Sequence, residues 1–287
     1  MTLLTFLRAR SAALVVITLL AVAWFGFSER PALAKRSARG SLASNAPRWH
    51  VTETLNFRIY SFATHPLDPH VAAHCEDFRA QVSRAWLVND HGRQWSPKCT
   101  IVMHATEASY RSVVGALADC TVAACTIEAI GEQTASRRID VCTCCENWLA
   151  YLPHELTHVL LDGRLTTGGL ARWADEGMSL VADPPGKRAA HDHDLRQALA
   201  EGRQFRVIEL LALTDYPARD RLGVFYGQSQ SIVEFLVHPG GRHKFIAFAK
   251  SAARNGYDSA LRTSYGIDNA GALEVQWLAA FREVETR

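Results

Sequence analysis

Hydrophobic and polar positions change period along the 287-residue chain near residue 148. Before that point the pattern is mixed. Residues 50–62 alternate through Val51, Leu55, Phe57, Ile59 and Tyr60, the two-residue period of one or two strands. Val71, Cys75, Phe78, Val82 and Trp86 recur at helical spacing over 69–88, and 100–104 reads as a short apolar strand. A helix is predicted over 107–117, then strands over 126–130 and 137–142 joined by a polar turn. From Trp148 onward the period is helical, over 148–161, 171–182, 195–201, 207–213, 225–237, 244–255 and 274–284. Pro153 falls inside the first of these, so that helix is expected to begin near Pro153, where proline costs no hydrogen bond. No internal repeat interrupts the order. Strands first and helices afterwards predict an α+β fold with a mixed sheet and a mainly helical C-terminal part.

The N-terminus stands apart. Arg8 and Arg10 precede an uncharged run over 12–27, and Ala32-Leu33-Ala34 supplies a small-x-small triplet after it. This is the layout of a secretory signal peptide cleaved after about Ala34, or of an uncleaved signal anchor, since the run ends in Trp24, Phe25 and Phe27. At 16 residues the run is short of the roughly 20 that span a bilayer comfortably. The expected division is a signal or anchor over 1–34, a Ser/Ala/Arg/Lys-rich linker over 35–47, and one domain over 48–287. The chain is expected to be exported, periplasmic or extracellular, or tethered to the membrane through 12–27.

Seven cysteines, at 75, 99, 120, 125, 142, 144 and 145, all lie beyond that segment. In an oxidising compartment such a set implies disulfides, with Cys120–Cys125 as the local pairing and one thiol left over. Cys142-Thr143-Cys144-Cys145 has the alternative of metal or redox chemistry, without a second ligand pair to complete a zinc site. Net charge is +2, too small a bias to argue for a nucleic-acid partner.

The chemistry resides in His154-Glu155-Leu156-Thr157-His158. Residues four apart share a helix face, so both imidazoles can address one ion, and Glu155 is placed to reach a water on it. With 12 His in the chain, about 0.03 such matches are expected by chance. A catalytic zinc takes three protein ligands and keeps a fourth position open, so a third ligand is required. Downstream stands Trp173-Ala174-Asp175-Glu176-Gly177-Met178-Ser179, on a second predicted helix.

HExxH followed by a W-x-x-E-G-x-[AS] helix resembles the gluzincin metallopeptidases, and within them the peptidase MA-like families. The resemblance spans about residues 137–236 and includes Tyr226-Gly227-Gln228-Ser229. It implies a thermolysin- or gluzincin-like catalytic domain with Glu176 as third ligand and one zinc per chain. It also implies a peptide or protein substrate. No Gly-x-Met-x-Asn exopeptidase signature is present, so an endopeptidase is expected. In related enzymes the substrate lies along an edge strand, for which 139–143 is the positional candidate.

Other residues have two readings each. Tyr226 is either a transition-state stabiliser or a packed aromatic. Asp175 and Asp162 are equal candidates for orienting a ligand histidine. His191-Asp192-His193-Asp194 reads as an exposed, Asp-capped helix start rather than a second metal cluster. His238 and His243 read as surface. The competing function is a catalytically inactive, peptidase-fold binding module of the cell envelope.

Overall fold

The computed structural model describes residues 15–19, 49–62, 69–87, 94–119, 121–130, 133–161 and 170–285. Six strands form one mixed sheet in the order β1-β5-β6-β4-β3-β2. They are β1 (Val15–Leu19), β2 (Trp49–Glu53), β3 (Phe57–Phe62), β4 (Cys99–His104), β5 (Ala123–Ile130) and β6 (Gln133–Cys142). β3, β4 and β6 run parallel, while β2, β5 and β1 are antiparallel to their neighbours.

The alternation of side chains sorts the sheet into two faces. Ile101 and Met103 of β4 register with Ile139 and Val141 of β6, and Cys125 of β5 registers with Ile139. These form the floor of the main core with Phe57 and Ile59. Two helices cover it: α1 (Pro69–Trp86) packs on β3, and α3 (Leu152–Leu161) packs on β5, β6 and α1. The other face carries His104 and Asp140 and is covered by α2 (Glu107–Val114), which packs on β4 and β6. Thr106 caps α2 by accepting from the Ser109 amide at 3.2 Å.

The C-terminal half comprises α4 (Arg172–Leu180), α5 (Pro185–Ala200), α6 (Val207–Ala212), α7 (Leu222–Val237), α8 (Gly241–Asn255), α9 (Tyr257–Tyr265) and α10 (Ala270–Glu285). Helix α7 is its axle. Val224, Phe225, Gly227, Gln228, Ile232, Val233 and Leu236 are all buried, and the helix packs against α4, α5, α8 and α10. Gln228, fully buried, donates to the Phe205 carbonyl at 2.8 Å and accepts from the Phe205 amide at 2.9 Å, which satisfies the turn before α6.

Three expectations change. Helix α5 begins at Pro185 rather than near 195, because Pro185 occupies a first-turn position where its missing N–H is not needed. His191–Asp194 is therefore mid-helix, not a capped start. The helix of 257–265, α9, was not foreseen. The run 139–143 is no edge: β6 is hydrogen-bonded on both sides, by β4 and β5. Its continuous burial from Ile139 to Cys142 is what an internal strand requires. Of the predicted signal and linker only 15–19 lies among the described residues, as β1 on the outer side of β5. Cys120 and Asp162 lie outside them. Among the described residues no helix is long and apolar enough to cross a membrane.

Candidate metal centre

The polypeptide enters α3 through a 3-10 turn, Trp148–Tyr151, whose preceding residue Asn147 takes the left-handed conformation. Pro153 then sits in the first helical turn, and its carbonyl accepts from Thr157 Oγ1 at 2.8 Å. Leu152, Leu156, Val159, Leu160 and Leu161 bury the helix in the core. That leaves His154 and His158 one turn apart on the side facing α4. Helix α4 is fixed by Trp173, which is 1% exposed, lies edge-on to Phe245 and donates its indole N–H to the Tyr257 hydroxyl at 2.9 Å. Glu176, one turn on, is carried toward α3.

The three groups converge. His154 Nε2 and His158 Nε2 are 3.1 Å apart, and Glu176 Oε2 lies 3.4 Å from the first and 3.7 Å from the second. Two nitrogens bound at about 2.05 Å to one tetrahedral zinc stand about 3.3 Å apart, so these separations fit such an ion. The chemistry of the donors fits as well. Both histidines turn the same nitrogen inward, and Glu176 Oε2 is buried without a hydrogen-bond partner.

Each imidazole is held from behind. His158 Nδ1 is 3.1 Å from Asp175 Oδ1 and 3.1 Å from Ser179 Oγ. His154 Nδ1 stands 3.3 Å from Asp183 Oδ2, an ion-pair approach rather than an aligned hydrogen bond, and Lys187 Nζ meets the same oxygen at 2.9 Å. A carboxylate at Nδ1 favours the proton there and leaves Nε2 free as a ligand. The Tyr216 hydroxyl donates to Glu176 Oε1, the oxygen turned away from the histidines. Of the two candidates for an orienting carboxylate, the structure thus places Asp175 at His158. Asp183, Lys187, Ser179 and Tyr216 were not anticipated. Asp183 lies seven residues past Glu176 and beyond the end of α4, where no helical period marks it in the sequence.

Electrostatics reflect the packing. Burial and Lys187 both push His154 down, yet the Asp183 and Glu176 carboxylates outweigh them and raise it to about 10. Burial likewise pushes His158 down, and Asp175 and Glu176 reverse it. Burial pushes Glu176 up, but His158 and His154 bring it to about 2. The centre is thus a preformed anion–cation cluster that favours ionised Glu176.

Glu155, 9% exposed, lies against the Cys125 thiol of β5, so its carboxylate sits between α3 and that strand. Tyr226 is half-buried; its ring lies tilted against His191 at 5.4 Å and 6.5 Å from Tyr216, which itself touches Glu176. His191 is held below the usual histidine range by burial first and Lys187 second. Among the described residues two groups of ligand-type side chains converge, His154/His158/Glu176 and Cys142/Cys144/Cys145, and neither includes 191–194. His238 and His243 are exposed.

A search of curated proteins finds no match. The family profile of the peptidase MA superfamily matches residues 139–283, which contain every member of the His/His/Glu cluster and about half of the chain, and the protein belongs to that superfamily.

Proposed function

We propose that the chain is a zinc-dependent endopeptidase, exported or tethered to the membrane, that hydrolyses peptide bonds. The observation that carries this reading is the convergence of His154 Nε2, His158 Nε2 and Glu176 Oε2, with the last unpartnered and buried. The peptidase MA superfamily is typically zinc-dependent. His154, His158 and Glu176 would hold the ion, and three ligands leave a position open for substrate chemistry. Bound there, zinc supplies Lewis-acid polarisation of the scissile carbonyl and makes a water acidic enough to attack at neutral pH.

The remaining steps belong to this chain's own residues. Glu155, one position from a ligand and held against Cys125, accepts the proton of the attacking water and passes it to the leaving amine nitrogen. Asp175 and Asp183 hold the two imidazoles in the ligating tautomer. Burial of the centre excludes bulk water, which strengthens every charge interaction in it. An extended peptide would pair with the outer side of β5, the place that β1 takes here.

The test is zinc content followed by hydrolysis. Wild-type chain should carry one zinc, lost in His158→Ala. Glu155→Gln should keep the zinc while cleaving an unfolded protein substrate about 10²- to 10⁴-fold more slowly, the range for removal of a general base. A folded chain that refuses zinc would instead be a binding module on a peptidase scaffold.

A further inference from the structure

Resting on the peptidase reading above, we propose that Arg172 is a specificity residue that receives a carboxylate of the bound peptide beside the metal centre. Arg172 opens α4 one helical turn before Glu176, so the two positions share a face of that helix. Tyr216 joins them. Its hydroxyl donates to Glu176 Oε1, and the Arg172 guanidinium lies over its ring, 4.7 Å from the centroid. One phenol ring thus separates the guanidinium from the Glu176 carboxylate.

What the guanidinium lacks is an anion. Among the described residues no carboxylate or carbonyl pairs with it, and its Nε is buried without a hydrogen-bond partner. Burying a donor of a permanent cation without a partner costs free energy. Elsewhere the fold answers such a group from within. Arg138, also partly buried, is held by Asp140 through Nε at 2.6 Å and Nη2 at 2.7 Å. Lys187, the cation behind His154, is paired with Asp183 at 2.9 Å. Helix stability does not explain Arg172 either, because a cation at the start of a helix opposes the macrodipole. The Tyr216 ring backs one face of the guanidinium and leaves its N–H fork unpaired, a donor set matched to the two oxygens of a carboxylate. An unmodified peptide carries negative charge at neutral pH only as carboxylate, on an Asp or Glu side chain or at its C-terminus.

The experiment uses the zinc-loaded full chain and amidated hexapeptides in which one Glu is walked through every position. Each has its Gln counterpart, and a neutral parent peptide is added both as amide and as free acid. The Glu155→Gln chain reports binding by fluorescence anisotropy, and wild type reports cleavage. Glu at one position, or the free acid, should bind about 10- to 100-fold more tightly than its neutral counterpart, the range for a hydrogen bond to a charged group. Which of the two does so identifies the source of the carboxylate. Arg172→Met in the Glu155→Gln chain should bind acidic and neutral peptides alike, with the thermal midpoint unchanged. Arg172→Glu should move the preference to Lys at the same position, an inversion that a packing role does not produce. Equal binding of acidic and neutral peptides by the Glu155→Gln chain would overturn the proposal, as would a preference that survives Arg172→Met. Cleavage by wild type without a carboxylate preference in binding ends only this proposal. A carboxylate preference without cleavage ends only the peptidase reading.

Discussion

Asp183 stands behind His154, with Oδ2 3.3 Å from Nδ1 and 2.9 Å from Lys187 Nζ. It comes from beyond the end of α4, so the helix that carries Glu176 also delivers the group that orients the first histidine of α3. Asp183→Ala leaves Lys187 beside an unsupported imidazole. Zinc affinity measured by chelator competition should fall about 10- to 100-fold, the usual cost of losing an outer-shell partner. Lys187→Met keeps the carboxylate and should cost less. Unchanged affinity in Asp183→Ala would mean that packing alone orients His154.

Gly177 is the contact point of α4 and α7. A Cβ there would lie 2.5 Å from the Ser229 carbonyl oxygen and 2.5 Å from Val233 Cγ2. Gly227 serves α5 in the same way, because a Cβ there would lie 2.3 Å from the His191 carbonyl oxygen. In an isolated helix Gly→Ala gains up to about 1 kcal/mol. Here Gly177→Ala should instead lose about 1–3 kcal/mol, because backbone cannot yield as a side chain can. Zinc affinity should fall with it, since Glu176 is the adjacent residue. A thermal melt checks the sign, and a raised midpoint would refute this account of the helix contact.

These contacts show which parts of the molecule were legible in sequence. The pairing of His154 and His158 was, because two residues four apart share a helix face, and Glu176 was found through the resemblance of its segment to a known family. So were the hairpin of β5 and β6 and most of the helices, whose periods are long and regular. The Gly of Glu176-Gly177 and the Gly of Tyr226-Gly227-Gln228-Ser229 could be quoted as motif letters, yet their reason is helix packing that only three dimensions display. Tyr216 and Asp183 reach the site from a loop and from a helix exit, where no periodicity marks them. The order of strands was equally hidden: β6 reads as a plausible margin until its pairing with β4 is seen.

Tyr216 and Tyr226 lie side by side, with ring centroids 6.5 Å apart, and Tyr216 donates to Glu176, a proposed ligand. Tyr216→Phe removes the hydroxyl that donates to Glu176 and should weaken zinc about tenfold with the fold intact. Tyr226→Phe removes the neighbouring phenol. If the Tyr226 phenol stabilises the developing oxyanion, its loss lowers kcat with little change in KM. An unchanged kcat would assign Tyr226 to packing against His191.

Asp140 is 3% exposed on the face opposite the metal centre. It receives Arg138 through Nε at 2.6 Å and Nη2 at 2.7 Å, and His104 Nε2 at 2.7 Å. His104 Nδ1 in turn lies 2.9 Å from Ser109 Oγ, so the network ties β4 and β6 to α2. Burial pushes the Asp140 carboxyl up, but hydrogen bonds from Arg138 and His104 leave it below its ordinary 3.8. A carboxylate depressed in the folded state stabilises the fold above the unfolded value, and that contribution is lost as pH falls through the folded one. Asp140→Asn should therefore be less stable than wild type by about 1–3 kcal/mol at neutral pH, the cost of weakening a buried charged hydrogen bond. Below pH 3.8 the gap should narrow and then close. Denaturation of both chains across that range checks it; a gap that stays constant with pH would show that Asp140 acts through shape rather than charge.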